Sequence, residues 1–217
     1  RDFCLSRGLG DVYKRQNLLT GGKTILLACL CAGISVIFCI MLHSFGKVFK
    51  TFSSNSYERV FFGGTVILCI TLILGTTRYS GTGIEVIASA IGGTARNSDF
   101  FWKMLFTAIT LACGYKGGEI IPSFFVGATF GCVIAPVLGL SSSLGAAIGM
   151  VSVFCGVTNC PIASLLIALE LFGKAPILYF LLAIAISYML SGYYSLYKTQ
   201  IIAVSKYKNE YVDKKTH

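Results

Sequence analysis

The sequence predicts an all-α polytopic membrane protein in which several helices are short, tilted or broken. Three observations carry this. Of 217 residues, 55% are hydrophobic and only 12% are charged, about half the charged share of a soluble domain. The apolar residues stand in blocks rather than in alternation, the pattern of membrane helices and not of half-buried strands. Several blocks run only 12–16 residues. Segments that short cannot cross a bilayer upright, so they read as half-helices or tilted helices covered by protein.

Residues 1–16, RDFCLSRGLGDVYKRQ, differ in composition from the rest of the chain. They hold no apolar core ahead of a small-residue cleavage site, so they are not a signal peptide. Asp11 to Gln16 back-translate as GAT GTG TAT AAG AGA CAG, which resembles the mosaic-end adapter of transposase-based sequencing libraries. The segment is therefore read as a sequencing scar outside the fold, and the natural protein is expected to extend further upstream.

The first apolar block runs from Thr24 to His43, twenty residues, enough for ~30 Å of hydrocarbon. A polar loop containing Lys47, Lys50, Ser53, Ser54, Asn55 and Ser56 comes next, and Val60 to Gly75 is the second block. RYSGTGIEVIASAIGGTARNSD is then too polar to face lipid throughout. Phe100 to Cys113 is the third block, with Ser98-Asp99 expected to cap its start. Further blocks are Ile120 to Gly139, Leu144 to Cys155, Pro161 to Phe172 and Pro176 to Leu190. Gly127–Gly131 and Gly145–Gly149 have the G-x-x-x-G spacing that lets helices pack closely. Residues 17–205 thus form one membrane body, and 206–217 a polar tail.

The formal charge is +9. Lysines and arginines lie between or beyond the apolar blocks, as loops on the cytoplasmic side require, and no basic stripe points to nucleic acid. Lys206, Lys208, Lys214 and Lys215 in the tail argue for a cytoplasmic C-terminus. Eight of the nine cysteines lie in or beside apolar blocks without a C-x-x-C pair. They read as small buried hydrophobes, implying neither metal nor cofactor. GGKT at 21–24 lacks the first glycine of a phosphate loop, because position 17 is Asn17. His43 and His217 are far apart, and no Ser/His/Asp or Cys/His set exists for nucleophilic chemistry.

One stretch stands apart. In GYKGGEIIPSFFVGATFG, residues 114–131, paired glycines and two charges interrupt the apolar blocks. Pro122 suits the first turn of a helix, and Gly117-Gly118 allow close approach of a ligand to the backbone. The N–H groups of Glu119, Ile120 and Ile121 would then point outward at the positive end of the helix dipole, a backbone anion site. The same residues also fit a tight glycine turn whose donors bind carbonyls or water.

Gly118-Glu119-Ile120-Ile121-Pro122, leading into a small-residue helix, resembles the G-x-F-x-P motif of the chloride channel (CLC) family of channels and anion/proton exchangers. YSGTGIEVI resembles that family's glycine-rich segment, GVTNCPIASLLIALELFG its helix with a proline start and a glutamate near the end, and GYYSLYKTQ the segment bearing its anion-coordinating tyrosine. The resemblance covers roughly residues 20–205. It implies that the amides around Gly118, Glu119, Ile120 and Ile121 line an anion site, with Tyr197 offering its hydroxyl. Gly117, Pro122 and Pro161 fall to the structural motifs. Ile120 stands where the family usually has phenylalanine. Glu119 would repel an anion unless turned away or protonated, and a structural role at the helix dipole is favoured. Glu170 reads as a proton relay or as a glutamate near a helix end partnered with Lys174; Gly173 looks like that helix's stop, which favours the second.

The family's serine-bearing G-S-G-I-P and gating G-K-E-G-P motifs are absent from this sequence. The chain thus resembles the second of two inverted repeats of a CLC-type fold, the C-terminal half. The resemblance implies an integral membrane protein of a bacterial plasma membrane carrying chloride or a similar small anion, working as a homodimer in the lipid bilayer. A fluoride/proton exchanger is the alternative within the family. A non-transporting fragment or assembly subunit is the alternative outside it, and an enzyme is not expected.

Overall fold

The computed structural model describes residues 18–52, 55–197, 199–206 and 211–216. The segment 1–16, read as foreign to the fold, lies outside the described residues. Eight helices and one strand pair occur in order among them: α1 Leu18–Phe52, α2 Ser56–Leu74, α3 Ile84–Ile91, α4 Asp99–Ala112, α5 Ile120–Val137, α6 Ser142–Thr158, α7 Pro161–Phe172, α8 Ile177–Leu190, β1 Ile201–Val204 and β2 Tyr211–Lys215. Three of them are long and apolar enough to cross a membrane, over Leu19–Thr51, Ser56–Leu74 and Ile120–Val137. The all-helical architecture matches the apolar blocks.

Helix α1 departs most from its block. It has 35 residues and so runs about 52 Å, well past both ends of the twenty-residue block. The lysines expected in a loop, Lys47 and Lys50, lie in its last turns. No proline interrupts this stretch, and lysine, phenylalanine and threonine can all continue a helix. Such a length must tilt or protrude from a hydrocarbon layer of ~30 Å. One face of α1 (Leu27, Cys31, Phe38, Cys39, Leu42) is buried against the body, while Leu26, Leu30, Ile37 and Ile40 are exposed.

The centre is the α5–α6 pair. From Leu144 to Thr158 every residue of α6 is buried, which explains how a 17-residue helix can sit in a membrane without spanning it. The two glycine pairs face one another across this crossing. A Cβ on Gly127 would lie 2.5 Å from the Gly149 carbonyl oxygen, and one on Gly145 would lie 2.6 Å from that of Gly131. Only glycine permits that separation. Helix α6 is capped by Ser141, whose hydroxyl accepts from the Leu144 amide at 3.4 Å, and stops at Asn159 in the left-handed region.

Helix α7 begins at Pro161 and ends at Gly173, with φ 76°, as its proline and glycine predict. Helix α4 begins where expected, but Ser98 makes no side-chain capping bond. The Asp99 carboxylate is used instead, accepting from the Arg96 amide at 3.2 Å, the Tyr79 hydroxyl at 2.7 Å and Arg78 Nη2 at 3.1 Å. The buried Lys103 ammonium donates to the carbonyls of Tyr79 and Gly81. Together these two side chains pin the glycine-rich segment before α3 onto α4. All eight described cysteines are free, and Cys31, Cys39, Cys113, Cys132 and Cys155 are buried, in keeping with their reading as small hydrophobes.

The strand pair was not expected. Ile201 pairs with Lys215, Ile202 with Lys214 and Val204 with Tyr211, antiparallel. The boundary drawn after residue 205 therefore falls inside a hairpin. Short strands of mixed polarity such as IIAV and YVDKK carry little periodic signal, and their pairing depends on residues distant in sequence.

Candidate anion site

The stretch 114–119 links α4 to α5 without helical structure. Gly114, with φ 99°, turns the chain out of α4, and α5 starts at Ile120 with Glu119 at its cap position. The first rung across that start is the Ser123 amide to the Glu119 carbonyl, 3.2 Å. The Ser123 hydroxyl turns inward and donates to the Ile120 carbonyl at 2.6 Å. The amides of Ile120 and Ile121 thus precede the hydrogen-bond ladder, and Pro122 in the same turn has no N–H to offer. The Glu119 carboxylate makes no capping bond to its own helix. It does not fill the position that an anion would take, which removes the objection raised by an acid at this place.

A cavity of about 900 Å³ opens in front of this helix start, lined among others by Gly117, Gly118, Glu119, Ile120, Ile121 and Tyr197. The five residues expected to bind an anion are thus brought together, although Tyr197 lies 76 positions beyond Ile121 in the sequence. Tyr197 is 42% exposed, so its ring is available to the cavity. Helix α1 supplies the opposite wall with Leu42, His43, Gly46 and Lys50. His43 and Lys50 carried no site reading in the sequence. Their spacing on one helical face is visible only once α1 is known to continue past His43. The positive end of the α5 dipole and the Lys50 ammonium both favour an anion in this cavity.

Tyr197 is not on a helix, and a network of side chains holds it. Its amide donates to Ser195 Oγ at 3.2 Å, and the Ser195 hydroxyl also donates to Gln200 Oε1. Its carbonyl accepts from the Thr216 hydroxyl at 2.8 Å. Gln200 Nε2 donates to the Thr158 carbonyl at 3.1 Å, Asn159 Nδ2 to the Tyr194 carbonyl at 2.8 Å, and the Leu196 amide to the Val157 carbonyl at 2.9 Å. The tyrosine segment is thereby fastened to the C-terminal end of α6. Lys206 adds a second fastening. Its ammonium donates to Asn159 Oδ1 and to the Tyr188 carbonyl at 2.8 Å, and lies 4.2 Å from the Tyr188 ring centroid. It meets the carbonyl ends of α6 and α8, where a cation is favoured. Burial nevertheless pushes its pKa down to about 8. These supporting residues escape a reading of the sequence, because polar side chains in a tail carry no signal of what they reach.

Other expected residues lie elsewhere. Pro161 begins α7. Glu170 is exposed in the last turn of that helix and lines neither this cavity nor the one behind the loop. Pro122 lines that second cavity, of about 460 Å³, together with Gly117, Gly118 and Ile121.

Comparison with known proteins agrees with this geometry. A chloride/fluoride channel protein of Pseudomonas syringae pv. tomato (strain ATCC BAA-871 / DC3000) is 34% identical over 193 residues, covering 84% of this chain and 43% of the relative. The crystal structure of a CLC-type fluoride/proton antiporter superposes with a TM-score of 0.81 at 27% identity, covering 84% of this chain and 47% of the other. The chain thus spans less than half the length of either relative. The family model for voltage gated chloride channels matches residues 10–192, most of the sequence, and the chain belongs to the voltage gated chloride channel family.

Proposed function

We propose that the protein containing this chain carries chloride or a similar small anion across a membrane, and that residues 118–121 with Tyr197 form part of its binding site. The observation that carries the reading is the convergence of the α5 start and Tyr197 on one cavity. An anion entering it gives up water and is compensated by the amides of Ile120 and Ile121, the α5 dipole and the tyrosine hydroxyl. The decisive test replaces the Ile120 N–H by an ester oxygen in the full-length protein. A hydrogen bond to a charged partner is worth about 1.5–3 kcal/mol, so anion affinity should fall at least ten-fold. Unchanged affinity would sink the proposal.

A second reading, fluoride/proton exchange, is favoured by the names of both relatives and by the G-G-E-x-x-P form around Glu119. Comparing uptake of fluoride and chloride, with and without a proton gradient, separates the two. We also propose a homodimer in a bacterial plasma membrane with the C-terminus in the cytoplasm. The outer faces of α7 and α8, with Ile162, Leu166, Leu178 and Leu181 exposed, support the first part, and the lysine-rich tail supports the last. The mass of the detergent-solubilised protein and protease access to the tail check these points.

A further inference from the structure

The anion loop has little holding it in place. A Cβ built on Gly118 would meet nothing within 4 Å, and Gly117, Gly118 and Ile121 line cavities on both sides of it. The loop is a thin wall between two spaces. A conformation so sparsely packed has to be specified at its ends. The α5 helix does this at one end, and the other end leads to Tyr115.

Tyr115 reaches away from the anion cavity to α2. Its hydroxyl donates to the Val60 carbonyl at 3.0 Å, and its amide donates to the Thr110 carbonyl at 3.3 Å. The Val60 carbonyl is within reach because Gly64, one turn later on the same face, has no side chain to cover it. A Cβ on Gly64 would lie 2.6 Å from the tyrosine oxygen and 3.8 Å from the ring carbon that bears it. The neighbouring Gly63 makes an equivalent notch for Cys113, which its Cβ would overlap. These contacts are also what α2 has to offer the body. Gly63 is buried, whereas Tyr57, Phe61, Leu68, Leu72 and Ile73 are largely exposed. A helix that otherwise faces outward touches the body where the anion loop begins.

We propose that Tyr115 is a positioning residue for the anion loop, its hydroxyl seated in the Gly64 notch of α2 so that the amides heading α5 face the Tyr197 cavity. This rests on the assignment of residues 118–121 and Tyr197 to an anion site. Loss of the latch leaves the binding residues intact but lowers the fraction of molecules whose loop is competent, which raises the apparent dissociation constant by the same factor.

The test measures anion-dependent transport and melting temperature in the full-length protein for Tyr115→Phe, Gly64→Ala and the double variant. Removing one hydrogen bond should raise the half-saturating anion concentration about five-fold in Tyr115→Phe. Maximal turnover should change less than half-saturation. Gly64→Ala should raise half-saturation more, because the methyl group expels the hydroxyl. The double variant should match Tyr115→Phe alone, since the new methyl then occupies vacated space; this non-additivity is what a purely structural role would not produce. Parental half-saturation in both single variants, or additive effects in the double, overturns the proposal, as does a lowered melting temperature with unchanged half-saturation. If Gly64→Ala does not fold, Tyr115→Ala replaces it, and unchanged half-saturation there is equally fatal. The ester at Ile120 separates the two readings. If it weakens binding while the Tyr115 variants do not, only the latch fails; if it has no effect, the anion site itself is wrong.

Discussion

Replacing Gly131 by alanine tests the reasoning on which the fold rests. The Cβ would overlap the Gly145 carbonyl oxygen, with the Gly145 carbonyl carbon at 2.9 Å and Gly149 Cα at 3.0 Å. All three obstacles are backbone, so no rotamer change can relieve them. Carbon atoms pack best at about 3.5 Å or more, and the α5 and α6 axes must part by about half an ångström or more at their crossing. Overpacking of this kind costs about 1–3 kcal/mol and sometimes more. Alanine's better helix propensity returns up to about 1 kcal/mol. Because the overlap involves backbone at three points, the upper part of the range applies, and the net loss should be about 2 kcal/mol. For a chain of this size that lowers the melting temperature by about 4–8 °C. Gly33→Ala is the internal control, since a Cβ there meets nothing within 4 Å, and it should be neutral or slightly stabilising. Melting of both variants in detergent, monitored by circular dichroism, gives the comparison. If Gly131→Ala melts with the parent protein, or if Gly33→Ala loses as much, the close crossing does not hold the core together.

Two further outcomes are expected. Tyr197→Phe keeps the ring and removes the donor facing the cavity, so anion affinity measured by calorimetry should weaken about ten-fold; equal affinity would exclude the hydroxyl from the site. Lys206 has a folded-state pKa of about 8 against an ordinary 10.5, so the folded state disfavours its protonated form. The resulting penalty is fully present below pH 8 and is lifted as pH rises from about 8 to 10.5. Hydrogen exchange of the Ile201–Val204 amides should therefore slow across that window, after correction for intrinsic exchange. In Lys206→Met the dependence should be absent.

Much of this architecture is legible residue by residue. Both ends of helix α7 can be read because its signals are local: Pro161 supplies a preset φ and lacks an amide, and Gly173 supplies the left-handed stop. The glycine pairs on α5 and α6 are legible as a packing device because their spacing places them on one helical face. The expected Ser98 cap fails for a long-range reason. Asp99 is drawn into a cluster with Arg78 and Tyr79, and no window around residue 98 contains those partners. The length of α1 is hidden because an apolar block measures what partitions into lipid, whereas the backbone continues as a helix wherever nothing breaks it.

By itself, the sequence determined the class of the molecule and the local geometry of one unusual turn. Composition forces the helices into lipid, and the arrangement of glycine, acid and proline at 117–122 leaves amides ahead of a helix. Only the tertiary structure decided what those amides face. Tyr197 reaches their cavity because bonds from Gln200, Asn159 and Thr216 hold its segment to the end of α6. His43 and Lys50 reach it because α1 runs on as one long helix. Local dihedral preferences and hydropathy act over a few residues, while a binding cavity is made by side chains that meet across helices. That convergence is set by packing, which no short stretch of sequence encodes.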